Sequence, residues 1–513
     1  MSNKMKRGIL GITKDPKNQI LFSFDQRFGD DWPSSDSDDS DYEHECSPSD
    51  TDVTALKRRE KCRKRIKASS DNVDTVHHNK PASSYNDSVN GDLWGKFIPH
   101  LVLVKIFGHV VESSGAVPFL CHALQVCRLW YQCASNSTLW KTVDLSYGWI
   151  KANDATLQLL CRIRFSKLID INLSNWKSLS VNGLKLLADT CPQLKSVNLS
   201  YCRVNSAGVL YMINKCSKLA EIDLTAYGCT DVVSSKVIVQ IVSKCAENLH
   251  SLNLSRNPLK GYNAVLKALA TSCPNLECLD LSQNPNSYIP LSFHIEQLQH
   301  GCPKLRVLRL VNTIIEPARV SVSDRSESPG FTQLQELSLG ITNTTVFVSG
   351  RNDVLRRLLK TSNKLKLLDL RGWSQLTCAD LQNVPATDLT DLYISRCSVA
   401  NDEGMELVAS KWQHSLVELD VSWNVHSEAV LDTAVRKLAG SSLTSKLEVL
   451  DLRGTQISLA SVQSVLQGCP LLCNLNLSSC RGLPRGMKQE YFNESLDLLR
   501  KNIDSVARND VSQ

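Results

Sequence analysis

The feature that most constrains this chain is a short apolar pattern carried twelve times between Leu168 and Leu477. Each copy is a leucine, an apolar residue three places on, and another two places after that. Copies begin at Leu168, Leu194, Leu219, Leu249, Leu276, Leu305, Leu334, Leu365, Leu389, Leu416, Leu447 and Leu472, in steps of 24 to 31 residues. All 36 key positions are Leu, Ile or Val, in a chain that is 42% hydrophobic. In the copy from Leu249 to Asn257 the spacing around Leu252 and Leu254 is two. That predicts a short strand with one buried face and Asn253 turned the other way. Helical spacing follows each copy, as at Val181, Leu184, Leu187, Ala188 and Cys191. A unit of one strand and one helix cannot bury its apolar edge alone. Stacked units can, and the greater width of the helix curves the stack.

Four units close with Cys-Pro three residues before the next leucine: Cys191-Pro192, Cys273-Pro274, Cys302-Pro303 and Cys469-Pro470. Proline stops the helix and launches an extended segment, and the cysteine fits a small buried slot at the helix end. This is the leucine-rich-repeat signature. It predicts an α/β solenoid, a horseshoe with a strand plus a helix per repeat, over residues 141–485. A C-terminal helical cap and frayed tail follow over 486–513. Pro317 to Gly330 is polar and bounded by Pro and Gly, so it reads as a loop outside the stack. Thr342 to Asp353 is the next irregular piece.

A net charge of +6 on 513 residues does not argue for a nucleic-acid partner. The 19 cysteines are odd in number and scattered at repeat spacing, which reads as reduced structural thiols rather than a disulfide scaffold. No Cys/His spacing fits a metal site and no cofactor motif is present, so neither is expected. The chain start lacks an apolar run long enough for a signal peptide. The stretch Leu101 to Val111 is broken by Lys105 and His109, so no membrane span is expected.

Residues 1–90 read as a disordered tail, acidic and then basic. Asp30 to Asp52 holds ten acidic residues in 23, no basic ones, and serines flanked by acids such as Ser35, Ser37 and Ser40. Lys57 to Lys67 then holds eight basic residues in eleven: Lys57, Arg58, Arg59, Lys61, Arg63, Lys64, Arg65 and Lys67. That run suits a nuclear-import signal, and nucleus and cytoplasm are the expected compartments. A basic tail that pairs with the acidic block or binds RNA loosely is the plainer alternative.

Residues 92–140 form a compact unit. Pro99 stands at a helix start, apolar residues follow at 102, 103, 106, 107 and 110, and helical spacing resumes after a break at Ser113-Ser114-Gly115. Ile98-Pro99, Leu103, Ile106-Phe107, Val126-Cys127-Arg128, Trp130 and Leu139-Trp140 resemble an F-box, a three-helix module of about fifty residues. An F-box joined to leucine-rich repeats resembles the F-box/LRR substrate-receptor family. Leu101 stands where the family usually carries a carboxylate, and the first connection, Val111 to Pro118, is longer than usual.

The resemblance implies a non-catalytic subunit of an SCF-type ubiquitin ligase. The F-box would bind a Skp-type adaptor that holds a cullin and its RING subunit, and the repeats would hold an unknown protein substrate. The adaptor-binding residues it implies are Ile98, Pro99, Leu103, Ile106, Phe107, Val126, Cys127 and Trp130. On the concave face, Tyr201, Arg256, Arg371, Arg396, Trp423 and Arg453 are the expected substrate contacts, with Asp369 and Asp451 placed to pair with Arg371 and Arg453. The competing reading is a non-catalytic repeat scaffold or inhibitor whose F-box-like segment only caps the solenoid. A single-chain enzyme is disfavoured, because no catalytic motif or spare domain remains once the repeats are counted.

Overall fold

The computed structural model describes residues 11–14, 20–23 and 98–510, except 227–232, 284–289, 342–350, 398–401, 425–427 and 441–444. The repeated pattern becomes one sheet. Fourteen short strands run from Thr142–Asp144 at one end to Glu490–Phe492 at the other. Neighbours are parallel and in strict register, so the middle apolar residues stack in a column: Val143 on Ile171, Ile171 on Val197, and on through Leu252, Leu279 and Leu308. Only the last pair is antiparallel, Glu490–Phe492 against Asn474–Asn476. The C-terminal segment therefore closes the sheet with a strand before its helix, Asn493–Asp510.

Three backbone devices recur at fixed offsets and explain why such short strands hold together. The last residue of most strands is Asp or Asn. Its side-chain oxygen accepts from the backbone N–H two residues on, at 2.8 to 3.1 Å, in ten repeats from Asp144 to Asn476. This Asx turn bends the chain off the sheet. The next residue takes a left-handed conformation, as at Tyr201, Arg256, Arg396 and Trp423, or is Gly372 or Gly454. One residue later a side-chain donor reaches the carbonyl of the preceding repeat. Asn257 reaches Leu224 at 2.8 Å, Trp176 reaches Leu145, Thr313 reaches Leu281, and Cys202 reaches Leu173. Each repeat thereby satisfies a backbone group of its neighbour that the turn would leave without a partner.

The helices open on Ser or Asn caps, such as Ser180, Asn205 and Ser458. They close on buried cysteines at Cys191, Cys216, Cys273, Cys302 and Cys469. Their thiols face earlier carbonyls, as Cys191 faces Phe165 at 3.3 Å.

The segment expected to be a loop contains regular structure. Ile315–Pro317 pairs in parallel with Leu291–Phe293, apart from the main sheet. Val322–Glu327 is a short helix with no buried residue. It does not fill the helix layer, and a polar network does so instead. Arg357 forks onto Glu296, 61 residues away, with both bonds at 2.7 Å, and also donates to the Ala318 carbonyl. Gln299 donates to the Arg357 carbonyl at 2.8 Å. Burial opposes the charges, but the Arg357 bonds outweigh it and hold the Glu296 carboxyl below the usual carboxylate range. Of the second irregular piece, residues 342–350 lie outside the described residues, and Arg351–Leu358 is helical.

Near the N-terminus Gly11–Lys14 and Ile20–Ser23 form an antiparallel hairpin, with Ile12 opposite Phe22. The reading of 1–90 as featureless missed it. Two short β-type runs flanking Asp15-Pro16-Lys17-Asn18 carried the signal. The rest of that tail, including both charged tracts, lies outside the described residues.

Candidate functional site

The three-helix module consists of α1 (His100–Ser114), α2 (Phe119–Ala123) and α3 (Arg128–Ala134). Leu103 and Phe107, one turn apart on α1, are 3% and 1% exposed. The Phe107 ring meets Trp130 at 4.9 Å and Phe119 at 5.3 Å, both edge-on. The sequence reading put Leu103 and Phe107 among the docking residues. Their side chains face inward and form the module's core. Trp130 and Cys127 are half-buried, as is Ile98, and Pro99 is exposed as the N-cap of α1.

The module's inner face is closed. Trp140 is fully buried, donates to the Ala134 carbonyl at 2.7 Å, and lies 6.3 Å from the Phe165 ring of the first repeat. The Arg164 guanidinium sits 5.5 Å from the Trp140 centroid, and burial lowers its pKa against the influence of Tyr131. One continuous apolar core runs from α1 through the repeats. The outer face is open and apolar. Leu101 is 73% exposed, Val126 55%, Val102 45% and Ile106 42%. Sequence reasoning found Ile106 and Val126 but missed Leu101 and Val102. The missed signal was an apolar residue, Leu101, off the stripe that Leu103 and Phe107 define.

The concave residues read from the sequence fall into two geometric classes. Tyr201, Arg256, Arg396 and Trp423 occupy the left-handed position of their repeats and project at the strand-exit edge. Arg371 and Arg453 stand one residue earlier, and each is tied back to its own strand. Arg371 bonds Asp369 at 2.9 and 2.6 Å, and Arg453 bonds Asp451 at 3.2 Å. The Asp369 bond is the main cause of a raised Arg371 pKa. The Arg371 guanidinium also lies 5.1 Å from the Tyr393 ring centroid. Trp423 is exposed and leans over Gly454, where an added Cβ would fall 2.4 Å from its ring.

The strands themselves are acidic. Those of the fourteen-stranded sheet include twelve carboxylates and one base, Arg309, which is bonded to Glu336. Burial pushes the Asp280 carboxyl up despite bonds from Ser282. Burial, with Asp420 and Glu490 adding, does the same at Asp451. Burial also raises the thiols of Cys216 and Cys245 to about 11, so these helix-end cysteines are neutral packing groups rather than nucleophiles.

Comparison with known proteins fits this architecture. Residues 96–146 match the family described as F-box-like. F-box protein SKIP19 of Arabidopsis thaliana is 26% identical over 181 residues, which is 34% of this chain and 57% of that protein. The chain thus spans little more than half the length of that relative. The putative F-box/LRR-repeat protein 9 of the same plant is 26% identical over 227 residues, covering 42% of this chain and 86% of that protein. Among solved structures, a chain from the yeast complex of Rad7 and Elc1 aligns over 75% of this chain and 91% of its own. Its TM-score is 0.49 and its sequence identity 15%. The chain therefore carries an F-box-like domain ahead of a leucine-rich-repeat solenoid, and it is similar to F-box/LRR-repeat proteins.

Proposed function

We propose that this chain is the substrate-recognition subunit of an SCF-type cullin-RING ubiquitin ligase. The module would bind a Skp-type adaptor, and the concave side of the horseshoe would bind the protein to be ubiquitinated. The observation that carries this reading is the module's second apolar face. A solenoid end needs a cap, and the Trp140–Arg164–Phe165 joint supplies one. A cap needs no further apolar surface, yet Leu101, Val102, Ile106 and Val126 stand open on the other side. Large apolar side chains left exposed together on one small module mark a protein contact. The F-box-like match over the same residues supports an adaptor as that contact.

In this reading the adaptor touches Pro99, Leu101, Val102, Ile106 and Val126, with Ile98, Cys127 and Trp130 at the margin. Substrate contacts are Tyr201, Arg256, Arg396 and Trp423, at the left-handed position of their repeats, and Arg371 and Arg453, which are partly neutralised. The subunit makes no bonds itself. It raises the local concentration of substrate lysines near the charged thioester. Within the family, strings such as IPLSFHIEQLQHGCPKLRVLRL and LNLSSCRGLPRGMK are similar to F-box/LRR-repeat protein 6. Lys57 to Lys67 would direct import, giving a protein of nucleus and cytoplasm.

Affinity purification with mass spectrometry tests the reading, comparing wild type with Ile106→Asp combined with Val126→Asp. Adaptor and cullin peptides should accompany wild type and vanish from the variant, while its thermal unfolding midpoint stays within a few degrees. Equal recovery from both proteins would refute the docking face. Absence of adaptor from wild type would leave the module as a cap and the protein as a scaffold.

A further inference from the structure

The turns that carry the chain from each strand to the next helix form one rim of the horseshoe. Over the first five repeats the described part of this rim carries bases only, and the sequence places one acid, Asp231, in the fourth turn, outside the described residues. Among the described residues, the segments 145–153, 173–180, 199–205, 224–226 and 254–261 hold Lys151, Lys177, Arg203, Arg256 and Lys260 and no acidic residue. All five bases are exposed. Large aromatic groups lie among them. Tyr147 is 74% exposed, Trp149 is 36% exposed, and Tyr201 sits 5.9 Å from the Arg256 guanidinium. Arg256 reaches Tyr201 across the intervening repeat because that repeat carries only Ala226 at the matching position.

The opposite rim is also basic, but several of its bases are held by partners there. Lys215 faces Asp189, Arg306 faces Glu277, and Lys218 and Lys304 donate to Gln193 and Asn275. Among the described residues, Lys151, Arg203, Arg256 and Lys260 make no salt bridge. Asp154, the acid nearest this rim at a helix start, accepts from Ser180.

We propose that this rim is the docking surface for the chain's own acidic tract, Asp30 to Asp52. That tract holds ten carboxylates, no base, and two aromatics, Trp32 and Tyr42, so it complements the rim in both charge and ring content. It ends 46 residues before Ile98, where the module begins to pack. A chain of that length, fully extended, reaches well beyond the rim, whose five strands extend over only about 20 Å at the usual strand spacing, so the tract can meet it without a second molecule.

The neighbouring basic tract, Lys57 to Lys67, is the obvious competitor for the acids. The acidic strands lie directly below the rim and offer those bases their own partner, so both tracts are satisfied when they separate over the two surfaces. The docking stands independently of adaptor binding.

The test is zero-length crosslinking of the full-length chain with a water-soluble carbodiimide, on an equal mixture of 14N and 15N protein. Peptides are mapped in the monomer and the dimer fractions separately. Carboxylates of residues 30–52 should join Lys151, Lys177 and Lys260 within one isotopic label. The yield should drop about tenfold when salt shortens the Debye length to about 3–5 Å. Lys177→Glu with Arg203→Glu should abolish the Lys151 and Lys260 links and leave adaptor recovery unchanged. Links from the tract chiefly to Lys57–Lys67, or evenly to lysines on all faces, would overturn the proposal. Mixed-label links alone would assign the rim to a second copy. Tight, rim-dependent binding of a single-stranded oligonucleotide that displaces the tract links would assign it to nucleic acid.

Discussion

The module and the solenoid are built from the same kind of residue and differ in how many of their apolar faces are closed. Inside the solenoid, each repeat is covered by a neighbour on both sides. Leu252, Leu279 and Leu308 are all 0% exposed. The module has a repeat on one side only. Its inner face shares the solenoid's core through Trp140, while Leu101 and Val126 on its outer face remain open. The difference separates stability from recognition. Burial in the stack gives the molecule its cohesion, and the uncovered face costs little until a partner arrives.

The largest expected effect falls where a charge is sealed inside the helix layer. Arg357→Ala leaves Glu296 buried without its fork and should destabilise the chain by about 3–5 kcal/mol in urea unfolding. Leu279→Ala opens a cavity between two repeats and should cost about 2–5 kcal/mol in the same assay. A loss below half a unit in either case would break the claim that the stack is closed throughout.

Gly454→Ala combines a left-handed backbone, φ 72, with a Cβ set against the Trp423 ring. It should destabilise by about 1–2 kcal/mol and displace the indole, which near-ultraviolet circular dichroism reads. An unchanged spectrum would remove Trp423 from its place over the glycine. Acidification adds a smaller test with a definite sign. The Glu296 pKa is depressed in the folded chain, so its contribution is present above the ordinary carboxylate range and is lost as pH falls through the depressed value. Between about pH 5 and pH 3 the wild type should lose more stability than Glu296→Gln.

The smallest effect on stability belongs to the open face. Ile106→Asp with Val126→Asp should change unfolding by no more than about 0.5 kcal/mol, since both side chains already meet water. It should nonetheless remove partner binding. A large stability loss there would mean the face is part of the core and would erase the contrast between the two regions.

Much of the fold was legible in the sequence. Twelve copies of one pattern dictated strand, turn and helix, because a period of two followed by a helical period leaves the backbone few choices. Cys191 and Cys302 at helix ends followed from the same spacing. The concave row was legible as positions but not as roles. The strand-end carboxylates lie beside that row, and Asp223, Asp280 and Asp420 each accept a backbone N–H that shapes the turn. Asp369 and Asp451 do so as well while holding Arg371 and Arg453. Local pattern cannot assign a side chain that serves the backbone and the surface together.

The sequence by itself determined the repeat, its register and the presence of a second module, since these depend on spacing along the chain. Tertiary structure alone decided which residues of that spacing face outward. Leu103 and Leu101 are two residues apart with the same side chain, and one is 3% exposed and the other 73%. Only the packing of α1 on α3 and on the first repeat distinguishes them. The bridge between Arg357 and Glu296 was likewise invisible, because it exists only where the fold brings two distant helices together across a repeat that lacks its own. Burial is a property of what covers a residue, and a one-dimensional pattern does not contain the cover.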